Sequence, residues 1–474
     1  MYDKFKEQIT KAKDFFYGFD KTKPIRIMSH LDADGISAAS ILIRMLNLEN
    51  RKYAVSIMQL LTKESLQRLA DEDYEFYIFT DLGSGQIENI VPFFKNKKVL
   101  ILDHHTPQEI DEVCDNIFHV NPHLCGINGT DEISGAGVVY YFSKECNNDI
   151  KYLAHIAVVG AIGDFQESNG FKKLNKDILD SSVENGLITI KNGLKFFGAI
   201  TKPLHRILQY STDIFIPGVS GSESGAIQFL QSLGINPKNG NDWRKLAHLT
   251  EEEVSKLVTG IVMRRASETK PEDIIGPIYI INSSAKESPT RDAREFSTLL
   301  NSCGRMDKAS LGIGVCLGDE TTTQKAILSQ KDYKRELMEA IKWYNENKNT
   351  ELFVKKGEGY VIINAGEHIR PQIIGTLASI ISRSNDVLDN VFIMSLARND
   401  NGTTKISLRV SGIKRDPNLD LRKIMKDMVK RVSDGEAGGH QFAAGAVVST
   451  ECEPKLVAAA KDLLSHSSKE ESVV

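Results

Sequence analysis

The sequence predicts an α/β protein whose N-terminal part is built around a parallel β-sheet. Short apolar runs rich in β-branched and aromatic residues alternate with helical patterns, as they do in βαβ units. These runs, the predicted strands, lie at residues 25–28, 76–79 and 99–102. Each is followed by acidic side chains, and the carboxyl ends of parallel strands line the crevice where such sheets bind ligands. We therefore expect a polar site at this edge of the sheet.

Two helical patterns extend this arrangement toward the same edge. Gly35 follows the first strand and permits the tight turn that starts a helix, predicted at residues 36–46. The N-terminus of that helix would face the crevice and favour anions there. A second apolar helical stretch, residues 155–162, ends shortly before Asp164. A helix, rather than a strand, is thus predicted to deliver the last acid to the site.

The composition limits the class of protein. At 474 residues and 41% hydrophobic content the chain is long enough for two or three cores, and 26% charged residues are typical of a soluble protein. No apolar run reaches the roughly 18 residues of a membrane span, so no membrane association is expected. The six cysteines form no CxxC pair and no signal-peptide pattern precedes them, which predicts reduced thiols and a cytoplasmic location. A formal charge of -4 shows no basic excess, so any nucleic-acid contact must come from a locally basic groove.

Acids and histidines form separated clusters at the predicted element ends. A single acid at such a position is usually a helix cap or a turn residue. A His doublet behind an acid, where a strand should bury its side chains, is harder to explain by packing. Carboxylates mixed with neutral imidazoles suit hard or borderline divalent ions, and no cysteine is placed to form a structural zinc site. The candidate metal-site residues are His30, Asp32, Asp34, Asp81, Asp103, His104, His105 and Asp164.

These residues resemble the motifs of a known family. The segment from His30 to Gly35, the isolated Asp81, the triplet Asp103-His104-His105 and the lone Asp164 are similar to the four motifs of the DHH phosphoesterase superfamily. Near the other end, the segment Gly438-Gly439-His440-Gln441-Phe442-Ala443-Ala444-Gly445 resembles the GGHxxAAG signature of the DHHA1 domain, which accompanies DHH domains in RecJ nucleases. The resemblance covers residues 1–215 and 355–465 and is specific because it combines motifs from both ends.

The resemblance implies a two-metal hydrolase. One ion would be held by His30, Asp32 and Asp81, and the other by Asp34, His104, Asp164 and the shared Asp81. His105 would lie near the scissile phosphate as a catalytic residue, and Asp103 would orient a histidine ligand through its second ring nitrogen. Mn²⁺ is the expected metal, with Mg²⁺ and Co²⁺ as alternatives. Such ions bind phosphate oxygens, lower the pKa of a water molecule and stabilise the leaving oxygen.

The glycine-rich segment is the candidate for substrate binding. Gly438 and Gly439 carry no side-chain bulk, so a phosphate or sugar could approach the main-chain N–H groups beside His440 closely. Without the metal cluster, a tight turn packed against a helix would be the favoured interpretation. Arg409, in a predicted strand at residues 405–410, occupies the position of a nucleic-acid-contacting arginine in DHHA1 domains. A solvated strand face is the alternative interpretation of Arg409.

The two recognisable ends divide the chain. We predict a DHH domain at residues 1–215, a mixed α/β insert at 216–354, a DHHA1 domain at 355–465 and a disordered tail at 466–474, with the active site in the cleft between the first and last domains. The insert contains no acid-His cluster and is similar to the insert of archaeal RecJ-like proteins of the GINS-associated nuclease type. We therefore expect it to bind a partner or to line the substrate channel, with the GINS complex and the replicative helicase as candidate partners.

The expected activity is metal-dependent hydrolysis of phosphodiester bonds from an end of single-stranded DNA or RNA, in replication or repair. A narrow cleft with metals on the phosphate would admit a flexible strand and exclude duplex. Two alternatives stay open. The same motifs occur in shorter nanoRNases and nucleoside-bisphosphate phosphatases, which act on very short substrates. A replisome scaffold with secondary nuclease activity is the other, because the eukaryotic relative of the archaeal type is an inactive partner of the replicative helicase.

Overall fold

A parallel β-sheet forms the centre of the N-terminal part of the chain in the computed structural model. Its strand order is β2-β1-β3-β4-β5, and every neighbouring pair is parallel. The predicted α/β class with an N-terminal parallel sheet is confirmed. The strands are β1 (Ile25–His30), β2 (Tyr53–Met58), β3 (Phe76–Thr80), β4 (Lys98–Leu102) and β5 (Ile117–Val120).

The structure describes residues 1–109, 114–211, 214, 216–266, 271–384, 387–388, 390–412, 419–432 and 435–470. The described chain divides into two compact units, of which the first is Met1–Ser329 and the second begins at Gln330. Within the described residues, no helix combines the length and the apolar character that a membrane span requires.

Helices cover both faces of the parallel sheet. Alternate strand residues enter different cores, because successive side chains of a strand point to opposite faces. Ile78 and Leu100 belong to the core that includes α1, α2, α5 and α6, whereas Phe79 and Ile101 pack with α3 and α4. The helices are α1 (Tyr2–Tyr17), α2 (Ala33–Leu48), α3 (Lys63–Asp71), α4 (Ile87–Phe93), α5 (Gly135–Cys146), α6 (Ala154–Gly163) and α7 (Lys173–Glu184).

The next region of the chain begins and ends with two antiparallel strands that pair with each other, and it has its own hydrophobic core. Leu208, Phe229 and Ile261 are members of that core. In chain order the region consists of β6 (Ile188–Leu194), α8 (Leu204–Gln209), α9 (Glu223–Ser232), β7 (Lys238–Asn239), β8 (Asp242–Trp243), α10 (Glu251–Arg264) and β9 (Ile275–Ile281). The strands β6 and β9 pair with each other and so hold the two ends of this region together.

The chain after β9 returns to the first core. Helices α11 (Ala293–Arg305) and α12 (Ala309–Cys316) pack against α2, and Leu299 and Val315 join the core of the parallel sheet. The range 216–354, predicted as one insert, therefore consists of parts that pack differently. Periodicity shows that a helix has an apolar face, but it does not show which partner that face covers. Helix α13 (Glu320–Asn347) begins in the first unit and ends in the second.

The second unit is built on a mixed sheet with the order β10-β11-β12-β13-β15-β14, in which only the described pair β11 and β12 is parallel. Helix α14 packs against β12 and β13, while α15 and α16 share the core on the opposite face. The elements are β10 (Val354–Gly357), β11 (Tyr360–Asn364), α14 (Pro371–Ile381), β12 (Phe392–Arg398), β13 (Thr403–Val410), α15 (Leu421–Lys430), β14 (Glu436–His440), β15 (Ala443–Ser449) and α16 (Glu453–Glu470).

The last helix extends beyond the predicted end of ordered structure. The backbone of residues 466–470 is helical, where the sequence predicts a disordered tail. An existing helix adds further polar residues at little cost, because the unfavourable step is nucleation. Residues 471–474, the rest of the predicted tail, lie outside the described residues.

Candidate metal centre

Three of the predicted site residues lie at the carboxyl ends of neighbouring strands. His30 is the last residue of β1, Asp81 directly follows β3, and Asp103 directly follows β4. Strands β1 and β3 are further joined by the hydroxyl of Ser29, which lies 2.7 Å from that of Thr80. Because these strands are adjacent in the sheet, acids that are far apart in the sequence meet at one edge.

Helix ends bring the remaining acids to the same place. Asp32 is the N-cap of α2, where its Oδ1 accepts the backbone N–H of Gly35 at 3.0 Å, and Asp34 lies in the first turn. Asp164 is the C-cap residue of α6. The predicted delivery of the last acid by a helix agrees with its position in the fold.

Two groups of side chains have ligand atoms that lie within 4.8 Å of one another in each group. The first is His30, Asp32 and Asp81, and the second is Asp34, His104 and Asp164. They contain the residues of the two ligand sets that the family resemblance implies, except that Asp81, expected in both sets, belongs only to the first group. A further described grouping contains Asp81, Asp103, His104 and His105.

Asp81 lies between these groups, with one carboxylate oxygen directed to each. Its Oδ2 is 3.6 Å from Nδ1 of His30, and its Oδ1 is 3.3 Å from Nε2 of His104. Nδ1 of His30 is also 2.9 Å from Oδ2 of Asp32, and Nε2 of His104 is 3.2 Å from Oδ2 of Asp164. This is the arrangement of a carboxylate that can bridge two cations.

The ring of His104 is oriented by a backbone carbonyl. Its Nδ1 donates to the carbonyl oxygen of Gly129 at 2.7 Å, and the side-chain amide of Gln166 donates to the same oxygen at 3.0 Å. Nε2 of His104 is therefore the nitrogen that faces the acids. Histidines that bind metals usually donate their other N–H in this way, which fixes the tautomer.

Asp103 orients the neighbouring histidine instead. Its Oδ1 accepts Nδ1–H of His105 at 2.8 Å and the backbone N–H groups of His104 and His105, and its Oδ2 accepts the backbone N–H of Ser84 at 2.9 Å. We expected Asp103 to orient a metal-binding histidine, but it binds His105 instead. The carbonyl of Gly129 already accepts the Nδ1–H of His104. The pattern Asp-His-His does not reveal which imidazole turns back to the acid.

Asp34 is completely buried at the N-terminus of α5. Its Oδ2 accepts the N–H of Gly135 at 2.6 Å and its Oδ1 accepts the N–H of Ala136 at 3.0 Å. Those N–H groups have no partner within the helix, and the positive end of the helix dipole favours a carboxylate there. Helix α5, for which the sequence analysis proposed no role, therefore positions a candidate ligand.

The buried carboxylates of the cluster repel one another, and bound cations would relieve this repulsion. Burial and repulsion from Asp81 and Asp164 raise the pKa of Asp34 well above its ordinary value. Burial alone would lower the pKa of His30, but Asp32 and Asp81 outweigh it and raise that pKa well above the ordinary value. Carboxylates close enough to repel one another gain from a bound cation, which would displace the protons that these groups otherwise share.

The hydrogen bonding of the buried polar atoms indicates whether these residues are suited to bind metal ions. Among the described residues, both carboxylate oxygens of Asp81 are buried and make no hydrogen bond, although imidazole nitrogens of His30 and His104 lie 3.6 Å and 3.3 Å from them. Nδ1 of His30 is also buried, and its ion-pair contact is with Asp32 at 2.9 Å. Leaving such groups unsatisfied is costly, so their retention requires a reason. A pair of divalent ions supplies it, because each of these atoms would become a ligand. The donor set of imidazole nitrogens and carboxylate oxygens suits Mn²⁺, Co²⁺ and, less closely, Mg²⁺.

Two glycines that were not predicted from the sequence as site residues allow the acids to approach the helices behind them. A Cβ at Gly135 would lie 2.5 Å from Oδ1 of Asp81, and a Cβ at Gly160 would lie 2.4 Å from Oδ1 of Asp34. Neither separation is compatible with a side chain. Small residues at the start of α5 and inside α6 were the available signal, but small residues within helices usually indicate only close helix packing.

The predicted substrate-binding residues lie in the second unit. Gly438, Gly439 and His440 belong to β14, which pairs with β15 as a hairpin at the edge of the sheet. The glycine-rich segment is therefore a β-hairpin with Gln441 and Phe442 in its turn, and α15 packs against both of its strands. The alternative of a tight turn packed against a helix agrees with this geometry. The edge position of β14 leaves one side of this strand outside the sheet pairing. The side chain of His440 lies outside the described residues.

Arg409 lies on β13 and its side chain is held by the protein. Its Nε donates to Oγ of Ser379 at 2.9 Å, and its Nη1 donates to the carbonyls of Leu408 at 2.9 Å and Ala444 at 3.3 Å. In the sheet register, Ala443 is opposite both Arg409 and position 440, so the predicted residues share one corner of this sheet. Arg409 is partly buried, which differs from the alternative of a fully solvated strand face.

Three segments of the chain match known domain families. Residues 24–163 match the DHH family, N-terminal domain, residues 196–278 match the DHH-CID domain, and residues 358–466 match the DHHA1 domain. The DHH match contains the strand ends and α6, and stops one residue before Asp164. The DHH-CID match coincides closely with the region between β6 and β9.

Similar proteins cover nearly the whole chain. Uncharacterized protein MJ0831 of Methanocaldococcus jannaschii is 30% identical over 459 residues, which is 95% of each protein. The structure of RecJ from Thermus thermophilus in complex with Mn²⁺ is 14% identical, with a TM-score of 0.57, and covers 97% of this chain but only 55% of that one. The structure of CDC45 from Entamoeba histolytica is 12% identical, with a TM-score of 0.62, and covers 97% of this chain and 98% of that one. At these identities the structures show a common fold.

Proposed function

This chain is a RecJ-like member of the DHH/DHHA1 family, and from that membership we propose that it hydrolyses phosphodiester bonds of single-stranded nucleic acid from an end, using two divalent metal ions. The observation that carries the proposal is the position of Asp81, whose two buried carboxylate oxygens face two different histidines. A packing role does not explain why a buried carboxylate turns each of its oxygens toward a different histidine, whereas a bridging ligand needs both oxygens.

The side chains divide into two sets of metal ligands. One set is His30, Asp32 and Asp81, and the other is Asp34, His104 and Asp164. Asp81 would be shared between them, because its Oδ1 lies 3.3 Å from Nε2 of His104. When bound, divalent ions would neutralise the phosphate oxygens and favour ionisation of a water molecule at neutral pH. Mn²⁺ is the proposed metal, with Mg²⁺ or Co²⁺ as alternatives, and the RecJ structures that share this fold include complexes with Mn²⁺ and with Mg²⁺.

His105 is the proposed catalytic residue beside the phosphate, and Asp103 is its positioning residue. Because Nδ1 of His105 is bonded to Asp103, Nε2 is the nitrogen that can donate a hydrogen bond or a proton to a phosphate oxygen. Burial opposes the charged imidazole, but Asp103 outweighs burial and raises the pKa of His105. The protonated form is thereby favoured, which suits contact with an anionic substrate.

The second unit has its own proposed contact with nucleic acid. We assign this contact to the backbone of Gly438 and Gly439, to His440 and to Arg409, which share one corner of the second sheet. Arg409 would act there partly by holding the corner in shape, since its guanidinium already bonds to Ser379 and to carbonyl oxygens. Edge-strand N–H groups are suited to sugar and phosphate oxygens.

Two other functions are the alternatives to this proposal. Hydrolysis restricted to very short oligonucleotides or nucleoside bisphosphates would assign the chain to the nanoRNase and phosphatase type. A role beside replication proteins such as GINS is the second alternative, and the region between β6 and β9, which has its own core, would carry that contact. A scaffold alone has no need for converging buried ligands, so we place any such role in addition to hydrolysis.

The proposal predicts a metal-dependent loss of label from one end of a single strand. Single-stranded DNA and RNA, labelled separately at each end, should be shortened progressively with Mn²⁺, at least as well as with Mg²⁺, and poorly with Ca²⁺, because Ca²⁺ prefers more and longer oxygen contacts. Duplex of the same sequence is the control and should be a poor substrate. Full activity after exhaustive chelation would contradict a metal-dependent mechanism. Activity confined to dinucleotides would favour the nanoRNase type.

A further inference from the structure

Phe165 is an exposed aromatic residue that directly follows a proposed metal ligand. Its side chain is 66% exposed, whereas the side chain of Asp164 before it is 8% exposed and Gln166 after it is buried. A single exposed apolar side chain is ordinary on a protein surface and does not by itself indicate a function. The backbone of Phe165 supplies the second observation.

Phe165 has a left-handed backbone at the end of α6, with φ of 59°. Its N–H donates to the carbonyl of Ile162 at 3.0 Å, and the N–H of Gln166 donates to the carbonyl of Ala161 at 3.0 Å. These bonds form a Schellman cap, in which the left-handed position is usually glycine. A bulky aromatic residue is strongly disfavoured there, because its Cβ crowds the backbone.

The surrounding contacts hold this conformation in place. Gln166 is anchored to the carbonyl of Gly129, and the carbonyl of Phe165 accepts both the N–H and the hydroxyl of Ser168, at 3.2 Å and 2.7 Å. Glycine or asparagine would form the same cap without the strain. The cap therefore does not explain the phenylalanine, and strained residues of this kind concentrate at functional sites.

We propose that Phe165 is the platform on which a base of the bound strand stacks. This inference rests on the proposed function, because the scissile phosphate is placed by the ligand cluster that includes Asp164. Because Phe165 directly follows Asp164, we place its ring beside the base attached to a phosphate at that cluster. Every base has an apolar face, so stacking on an aromatic ring does not require a particular sequence.

Stacking also suits the charge of this site. The cluster is rich in carboxylates and the chain has a net charge of -4, so long-range attraction of a polyanion is weak. An aromatic contact adds affinity that does not depend on charge. It would hold the strand end in register while the metals hold the phosphate.

The test compares Phe165→Ala with Phe165→Trp, using Phe197→Ala as the matched control. Phe197 is another exposed phenylalanine of the first unit, 37% exposed, and it lies in the region between β6 and β9. The substrates are a labelled single strand with ordinary bases and the same strand with abasic residues at the cleaved end. For the ordinary strand, Phe165→Ala should raise KM about 10-fold with little change in kcat, while Phe165→Trp and Phe197→Ala retain the wild-type KM.

On the abasic strand, the wild type and Phe165→Ala should have the same KM, and the Tm of Phe165→Ala should not fall. If the wild type and Phe165→Ala have the same KM on the ordinary strand, the proposal is wrong. It is also wrong if Phe165→Ala raises KM equally on the ordinary and abasic strands. A lowered Tm would likewise contradict it, because Phe165 would then be a structural residue. If the wild type cleaves no strand at all, the proposed function fails separately. In that case the affinities of the wild type and Phe165→Ala for the labelled strand are compared. Weaker binding by Phe165→Ala supports stacking on Phe165, and equal binding refutes it.

Discussion

Replacing Asp81 by Asn is expected to abolish hydrolysis, with a loss of about 10³-fold or more, while the protein stays folded. The amide keeps the shape of the side chain but loses its charge and one of its acceptor oxygens. Asn at this position therefore cannot act as a ligand in both metal sites. Asn also tolerates the left-handed backbone of this residue, whose φ is 56°, so the substitution adds no backbone strain.

The measurement is single-turnover hydrolysis of an end-labelled strand in the presence of Mn²⁺. Thermal unfolding is measured separately, in the same buffer without metal. Asp180→Asn is the matched control, because Asp180 is a partly exposed residue of the same unit that pairs with Lys176 on the surface. Removal of the Asp81 charge should change the Tm little, because Asp81 repels the buried Asp34 but attracts the imidazoles of His30 and His104. Near wild-type turnover of Asp81→Asn would show that Asp81 is not the bridging ligand.

Gly135→Ala should also reduce hydrolysis strongly, although this residue carries no chemistry. Its new Cβ would meet Asp81 at 2.5 Å from Oδ1 and 2.8 Å from Cγ, so the carboxylate or the start of α5 must move. A displacement of about 1 Å in a catalytic group can cost on the order of 100-fold in rate. Crowding of a closely packed site is expected to lower the free energy of unfolding by about 1–3 kcal/mol as well.

The control for that experiment is Gly85→Ala, because a Cβ at Gly85 meets nothing within 4 Å and the residue lies close to Ser84, which bonds to Asp103. It should retain its activity and Tm. If Gly135→Ala matched Gly85→Ala in rate, the close contact between α5 and Asp81 would have no role in positioning the ligand.

The strands and the candidate ligands could be predicted because they leave strong local patterns. Apolar runs of strand length ending in acids indicate a parallel sheet and its binding edge, and the fold agrees at Asp81 and Asp103. The family resemblance supplied the division into two ligand sets. These signals depend on residue type and spacing, which the sequence displays directly.

What could not be predicted depends on contacts between distant segments. The partner of Asp103 is set by side-chain rotamers, and the close approach of Gly135 to Asp81 is set by how α5 packs against the sheet. The left-handed backbone of Phe165 is invisible to patterns that count apolar residues, because phenylalanine normally adopts other conformations. The same limit applies to α11, whose apolar face covers α2 rather than a separate insert core.

Anomalous diffraction from crystals soaked in Mn²⁺ tests the central claim most directly. The account predicts two manganese peaks in the first unit, one contacted by His30 and Asp32 and the other by Asp34, His104 and Asp164, with Asp81 contacting both. Crystals of Asp81→Asn should lose at least one of these peaks. A single peak in the wild type, or manganese bound away from Asp81, would contradict the two-metal assignment.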